Sequence, residues 1–422
     1  MCRLQVLAEG SADMAFLHII AVVCIIIQVL FVFLIFSHYK YALKKFSREY
    51  NTYRPKVALI VPCKGIDMVF DKNIGSFYQL DYDSYELIFV TESTEDAAYN
   101  RLLVLKDRFK NQTKAIRTSV LVAGIAGQGS QKLHNLLYAC KTVEKDVKVF
   151  AFADSDICVR SNWLRFLVFP LRKEKQGVAT GYRWYVPLKN NIATLALSAM
   201  NARVAQMLGP TIFNCAWGGS MAVLVDTFKK LGIAEIWQRA ISDDLTLSRA
   251  VKKAKKKVVF VPGCLVASYG QTDWRGLFEF ARRQFIITRV TMPGKWWFGL
   301  ASSVFSVFGL WGFTGLAIFS YLNGLEYRQT FLAAAIIFLA GQTIRAFLRQ
   351  RMIFRLLAAE TAKMRITALA DIIGGSLWSL ILFFCILSSA FGSIITWRGV
   401  KYKLISPTEV IRLAEDGCFH CR

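Results

Sequence analysis

The stretch Val147-Lys148-Val149-Phe150-Ala151-Phe152-Ala153-Asp154-Ser155-Asp156 decides how this chain is read. Its first seven residues, apolar but for Lys148, suit a strand buried on both faces, and an acidic triplet ends it. Two carboxylates one residue apart at the end of a buried strand suit a hard divalent cation, which prefers oxygen ligands and keeps phosphate in its shell. A second acidic pair, Asp243-Asp244, lies further along. There Asp243 is placed to cap a helix and Asp244 to favour its dipole.

Outward from that strand, short β-rich runs alternate with helical patterns between residues 54 and 290. Lys56 to Pro62, Glu86 to Thr91 and Thr118 to Ala123 read as strands, and Glu95 to Phe109 and Lys132 to Val143 as helices. Such alternation predicts an α/β domain with a mostly parallel sheet and a ligand site at the carboxyl ends of its strands. Lys64-Gly65, Glu92 and Asp154 to Asp156 all fall at such ends. Further on, Asn190 to Leu208, Asp244 to Lys255 and Trp274 to Thr288 read as helices, and Val258 to Pro262 as a strand.

Hydrophobic residues make up 55% of the 422-residue chain, too many for a domain that must clothe itself in polar surface. Ala15 to Phe36 is long enough to span a bilayer and reads as a retained anchor; Phe298 to Tyr321, Phe331 to Phe347 and Ile372 to Thr396 are near spanning length. Lys40, Lys44, Lys45 and Arg48 after the first span predict that the central domain is cytosolic, and Arg398, Lys401 and Lys403 predict the same for the C-terminus. Three further crossings would contradict that. Phe331 to Phe347, short and carrying Gln342 and Arg345, is the segment expected to be re-entrant or interfacial.

The net charge of +24 is spread through juxtamembrane stretches, including Arg345, Arg349, Arg351 and Arg355, which suits anionic lipid head groups better than nucleic acid. The ten cysteines show no paired framework and are expected to be reduced thiols. Cys418-Phe419-His420-Cys421 has no second Cys/His pair beside it to complete a zinc site.

One family joins these observations. Val61-Pro62-Cys63-Lys64-Gly65, Leu80-Asp81-Tyr82, Glu92 to Asp96, Lys132-Leu133-His134-Asn135-Leu136, Asp154-Ser155-Asp156, Gly218-Gly219-Ser220-Met221, Ser242-Asp243-Asp244-Leu245 and Trp397-Arg398-Gly399 occur in the order and spacing of membrane-anchored inverting glycosyltransferases. The chain most closely resembles the ceramide glucosyltransferases. The resemblance implies a GT-A-type domain over 54–290, an anchor over 1–40, a transmembrane or interfacial region over 291–397 and a basic tail over 398–422. It implies transfer of glucose from UDP-glucose to a lipid hydroxyl. Mg2+ or Mn2+ would be held by Asp154 and Asp156, with Asp154, Lys64, Glu92 and Asp96 at the nucleotide, although Asp is commoner than Glu at position 92.

The resemblance assigns the general base to Asp244. It places Arg282, Arg283 or Gln284 at the departing diphosphate, and Tyr182-Arg183-Trp184-Tyr185 with Trp217-Gly218-Gly219 on the acceptor side. Phe285 stands where the family has tryptophan, which disfavours a processive polysaccharide synthase. Other lipid acceptors (a polyprenyl phosphate, a hopanoid, diacylglycerol) and a non-enzymatic membrane scaffold remain as alternatives.

Overall fold

A computed structural model describes residues 2–413, with side chains from Met14 onward. Cys418 to Cys421 and the end of the tail lie outside the described residues. Seven strands form the main sheet in the order β3-β2-β1-β4-β6-β5-β7: β1 Val57–Pro62, β2 Tyr85–Thr91, β3 Arg117–Val122, β4 Val149–Ala153, β5 Gln176–Pro187, β6 Ser220–Leu224 and β7 Lys257–Gly270. Only β6 runs antiparallel to its neighbours, so the sheet is mostly parallel, as the alternating pattern predicts.

Residues of β1, β2 and β4 point alternately into two apolar layers. Leu59, Leu87 and Ala151 join one layer with Phe77 and Trp163; Ile60, Ile88 and Phe152 join the other with Leu136 and Trp237. Burial on both faces explains why these strands read as continuous apolar runs. The order reverses direction between β1 and β4, and the crevice beyond the carboxyl ends of such a pair is where open α/β sheets hold ligands. Lys64 and Asp154 stand on either side of it.

Among the described residues, three helices are long and apolar enough to cross a membrane: Met14–Phe46, Pro293–Leu322 and Arg328–Leu356. Phe331 to Phe347 is therefore not a short segment: it sits inside a continuous 29-residue helix. The broken segment is the next one. Helices Ala358–Ile373 and Gly375–Ser388 meet at 84°, and Ile394–Trp397 is strand β8 instead of the end of a span. Trp378 explains the bend: its indole donates to the Ala370 carbonyl at 2.7 Å, and a Cβ on Gly374 would approach the indole nitrogen to 2.5 Å.

Two of the four arginines expected to meet lipid head groups face inward instead. Arg349 and Asp371 form a buried bidentate pair at 2.5 Å, and Arg345 donates to Gln28 at 3.1 Å. A charge taken out of water needs such partners, so Arg345 and Arg349 are committed to helix packing and only Arg351 and Arg355 are exposed.

Within the expected basic tail, residues 400–412 contribute two strands to a second sheet. Strands β8, β9 (Val400–Ser406) and β10 (Glu409–Arg412) run antiparallel in the order β10-β9-β8. Ile395, Tyr402, Leu404 and Val410 pack on Ile241, Ile286 and Ile287, and the Val410 amide donates to the Arg239 carbonyl at 2.8 Å. The C-terminal sheet is therefore part of the main domain and lies on its side of any membrane.

Candidate active site

A cleft of about 360 Å³ opens at the β1/β4 switch point, lined by Lys64, Lys132, Asp154, Asp156, Arg183 and Arg283, among others. The packing around its carboxylates follows from strand register. Antiparallel β6 starts where β4 ends, with Ser220 beside Ala153, which lays Gly218-Gly219 against the acidic triplet. The approach is close: a Cβ on Gly219 would lie 2.7 Å from Asp154 Oδ2, and one on Gly218 2.2 Å from Asp243 Oδ2.

Lys132 organises the carboxylates. It sits in the first turn of helix Gln131–Thr142, which Ser130 caps, and its ammonium lies 2.7 Å from Asp154 Oδ1 and 3.1 Å from Asp243 Oδ2. Burial works against ionised Asp154, but Lys132 outweighs it and holds the carboxyl below its usual range. Asp156 is raised by burial and by the neighbouring Asp154. Asp243, more deeply enclosed, is pushed up to about 6 by burial and by Asp244 and Asp154, against the pull of Lys132.

Asp243 does not cap its helix. Ser242 does, accepting from the Leu245 amide at 3.1 Å, and Asp243 is the first residue of helix Asp243–Lys253. Asp244 points elsewhere: its Oδ2 accepts from the Gly218 amide at 3.0 Å and its Oδ1 from the Leu245 amide at 2.7 Å. It does not line the cleft.

The other predicted residues divide. Lys64, Arg283 and Gln284 line the cleft. Glu92 sits behind Lys64 in an ion pair at 2.8 Å, and Asp96 caps helix Ala97–Phe109 while accepting from the Gly65 amide at 2.8 Å. Arg282 turns away to donate to the carbonyls of Ser388 and Phe391. Phe285 packs in the membrane-side cluster with Trp378, outside the cleft lining.

Trp184 likewise leaves the expected acceptor side. Alternation along β5 sends Arg183 and Tyr185 into the cleft and Trp184 into the core beside Met352 and Ile353. Arg183 lies 3.9 Å from Asp156, its guanidinium carbon about 5 Å from the rings of Tyr185, Trp217 and Phe280. Lys132 and Arg398 are site residues to which sequence reasoning attached no role, and it did not separate Arg183 and Tyr185, which line the cleft, from Trp184, which does not. The helix cap before Lys132 and the period of two on β5 were the available signals.

The donor set fits a divalent cation. Asp156 Oδ1 is buried with no hydrogen-bond partner among the described residues. Among those residues no three His, Cys, Asp or Glu side chains converge as a metal cluster, so two carboxylates would leave the remaining positions to phosphate and water.

A family model described as "Glycosyl transferase family 21" matches residues 14–410. Among solved structures, "Mannosyltransferase PcManGT from Pyrobaculum calidifontis in complex with GDP-Man and Mn2+" is similar with a TM-score of 0.43 at 14% identity, over 87% of this chain and 97% of that one. "GalNAc-T7 with UDP, GalNAc and Mn2+" is similar with a TM-score of 0.38 at 12% identity, over 56% of this chain and 51% of that one.

Proposed function

The chain belongs to glycosyl transferase family 21, the ceramide glucosyltransferase family, and from that premise we propose that it transfers glucose from UDP-glucose to the hydroxyl of a ceramide-like lipid with inversion. The observation that carries the reading is Asp154 and Asp156 at the switch-point end of β4, with an unpartnered buried oxygen on Asp156.

Asp154 and Asp156 would hold Mg2+ or Mn2+, which supplies charge neutralisation at the departing diphosphate. Lys64 reaches the same region from the end of β1, with Glu92 behind it toward the nucleoside. Arg283 offers a guanidinium to the phosphates, and Gln284 a side-chain amide beside it.

Asp244 serves as base. Its carboxylate takes the proton of the acceptor hydroxyl, whose oxygen forms a bond to the anomeric carbon while the anomeric carbon–phosphate oxygen bond breaks. The electron pair leaves with UDP. A single displacement from an α-linked donor gives a β-glucoside. Gly218 and Leu245 orient the carboxylate, and reaching it requires the acceptor to pass the glycine pair.

A membrane lipid acceptor is supported by the wall of the cleft itself. Helix Trp274–Thr291 contributes Phe280, Arg283 and Gln284 and runs into the candidate span Pro293–Leu322 after a break at Met292 alone. The basic residues after the first span support a cytosolic site. The test is purified protein assayed with a panel of UDP-sugars and lipid hydroxyls. Glucosylation of ceramide from UDP-glucose is expected; transfer only to another lipid or from another sugar would replace that pairing.

A further inference from the structure

Trp397-Arg398-Gly399 has no part in the chemistry above, yet it overhangs the cleft. Strands β8 and β9 pair Trp397 with Val400, leaving Arg398 and Gly399 as a two-residue turn with φ of +49° and +84°. Positive φ at both positions is the type I′ hairpin geometry, normally filled by Asn-Gly or Asp-Gly. An arginine there occupies the left-handed region at an energetic cost, so turn chemistry does not account for it.

Its surroundings do. The base of the hairpin is fixed by the packing of Ile395 and Tyr402 and by Arg282 and Arg289, which donate to the carbonyls of Ser388, Phe391, Ala390 and Gly392 just before β8. The tip brings Arg398 into the cleft wall with Asp154, Asp156 and Arg283. Of the other cleft cations, Lys64 is paired with Glu92, Lys132 with Asp154 and Asp243, and Arg183 with the surrounding rings and Asp156, while Arg283 donates to the Thr396 carbonyl at 3.3 Å and stays beside Arg398 as a second guanidinium for the phosphates. For Arg398 the carboxylate within reach is Asp67, in the loop after β1, at 3.9 Å with the arginine side chain 49% exposed. An ion pair that long and that wet contributes little.

We propose that Arg398 binds the diphosphate of the sugar donor, its guanidinium leaving Asp67 for the phosphate oxygens above Asp154 and Asp156. The proposal rests on the donor reading given above. A guanidinium is permanently charged and matches two phosphate oxygens at once. The contact strengthens as negative charge gathers on the departing diphosphate, so Arg398 acts in donor binding and in bond breaking, with no proton moved. The strained turn then has a purpose: it aims the cation from a fixed hairpin base.

Arg398→Asn separates this role from folding, because asparagine favours positive φ and keeps the turn. Binding of UDP with Mn2+ is measured by calorimetry, alongside thermal stability and the transfer rate. In Arg398→Asn the melting temperature should stay level or rise, while UDP affinity falls about tenfold or more and kcat by about 10²-fold. Arg398→Lys should recover only part, lacking the planar fork. Asp67→Asn, which removes the competing carboxylate, should tighten UDP binding a few-fold. Wild-type affinity and kcat in Arg398→Asn would overturn the proposal. So would Asp67→Asn weakening UDP as much as Arg398→Asn, since the pair would then be a structural clamp. A wild-type protein that binds no UDP with Mn2+ would instead bring down the donor reading itself.

Discussion

The Gly218 amide donates to Asp244 Oδ2 at 3.0 Å, which ties the proposed base to the glycine pair packed against Asp154 and Asp243. Neighbouring Asp243 faces Lys132 instead. The two carboxylates thus have separable tasks. Asp244→Asn should leave UDP affinity within about two-fold while glucosyl transfer falls by about 10²- to 10⁴-fold. Asp243→Asn keeps its shape beside Lys132 and should be milder in transfer. Near wild-type transfer by Asp244→Asn with a dead Asp243→Asn would move the base to Asp243.

Chelation gives a second test. EDTA should abolish transfer, with recovery on adding Mn2+ or Mg2+, and Asp156→Asn should weaken UDP binding only when the cation is present. Full activity in chelator would refute the assignment of Asp154 and Asp156 as cation ligands.

Topology is testable with single cysteines at exposed loops. With Met14–Phe46, Pro293–Leu322 and Arg328–Leu356 as the spans and the bent pair re-entrant, Asn111→Cys and Thr408→Cys should label from the cytosolic face of sealed vesicles. Glu326→Cys, between the last two spans, should label only from the opposite face. If Thr408→Cys and Asn111→Cys label from different faces, the packing of the C-terminal sheet on the main domain is wrong.

The buried pair Arg349–Asp371 should respond asymmetrically to mutation. Asp371→Ala strands a guanidinium and should cost about 3–5 kcal/mol in thermal or chemical unfolding, whereas removing both charges with Arg349→Met and Asp371→Leu should cost much less. Equal losses would mean that the pair contributes net stability beyond satisfying its own charges.

The parallel strands were legible because burial on both faces forces continuous apolar runs, and Lys64 and Asp154 were legible because strand ends are where such sheets hold ligands. Strand β5 was not read, although its alternation is what sends Arg183 and Tyr185 one way and Trp184 the other. The charge rule and the packing of the β8–β10 sheet on the main domain agree in placing residues 394–412 beside that domain. Phe331 to Phe347 read as short because its helix continues through Arg345 and Arg349 to Leu356, and the bend elsewhere comes from Trp378 folding over Gly374, a contact between residues whose individual propensities do not announce it.

By itself the sequence determined the α/β alternation, the metal-type acidic motif and the membrane setting, since each is written in local periodicity, spacing or composition. Tertiary structure alone decided that Lys132 joins Asp154 to Asp243, that Asp243 and Asp244 point to different partners, and that a hairpin from the far end of the chain hangs Arg398 over the cleft. Those relationships join residues on separate strands and helices. Packing of the layers sets their distances, and no local propensity encodes them.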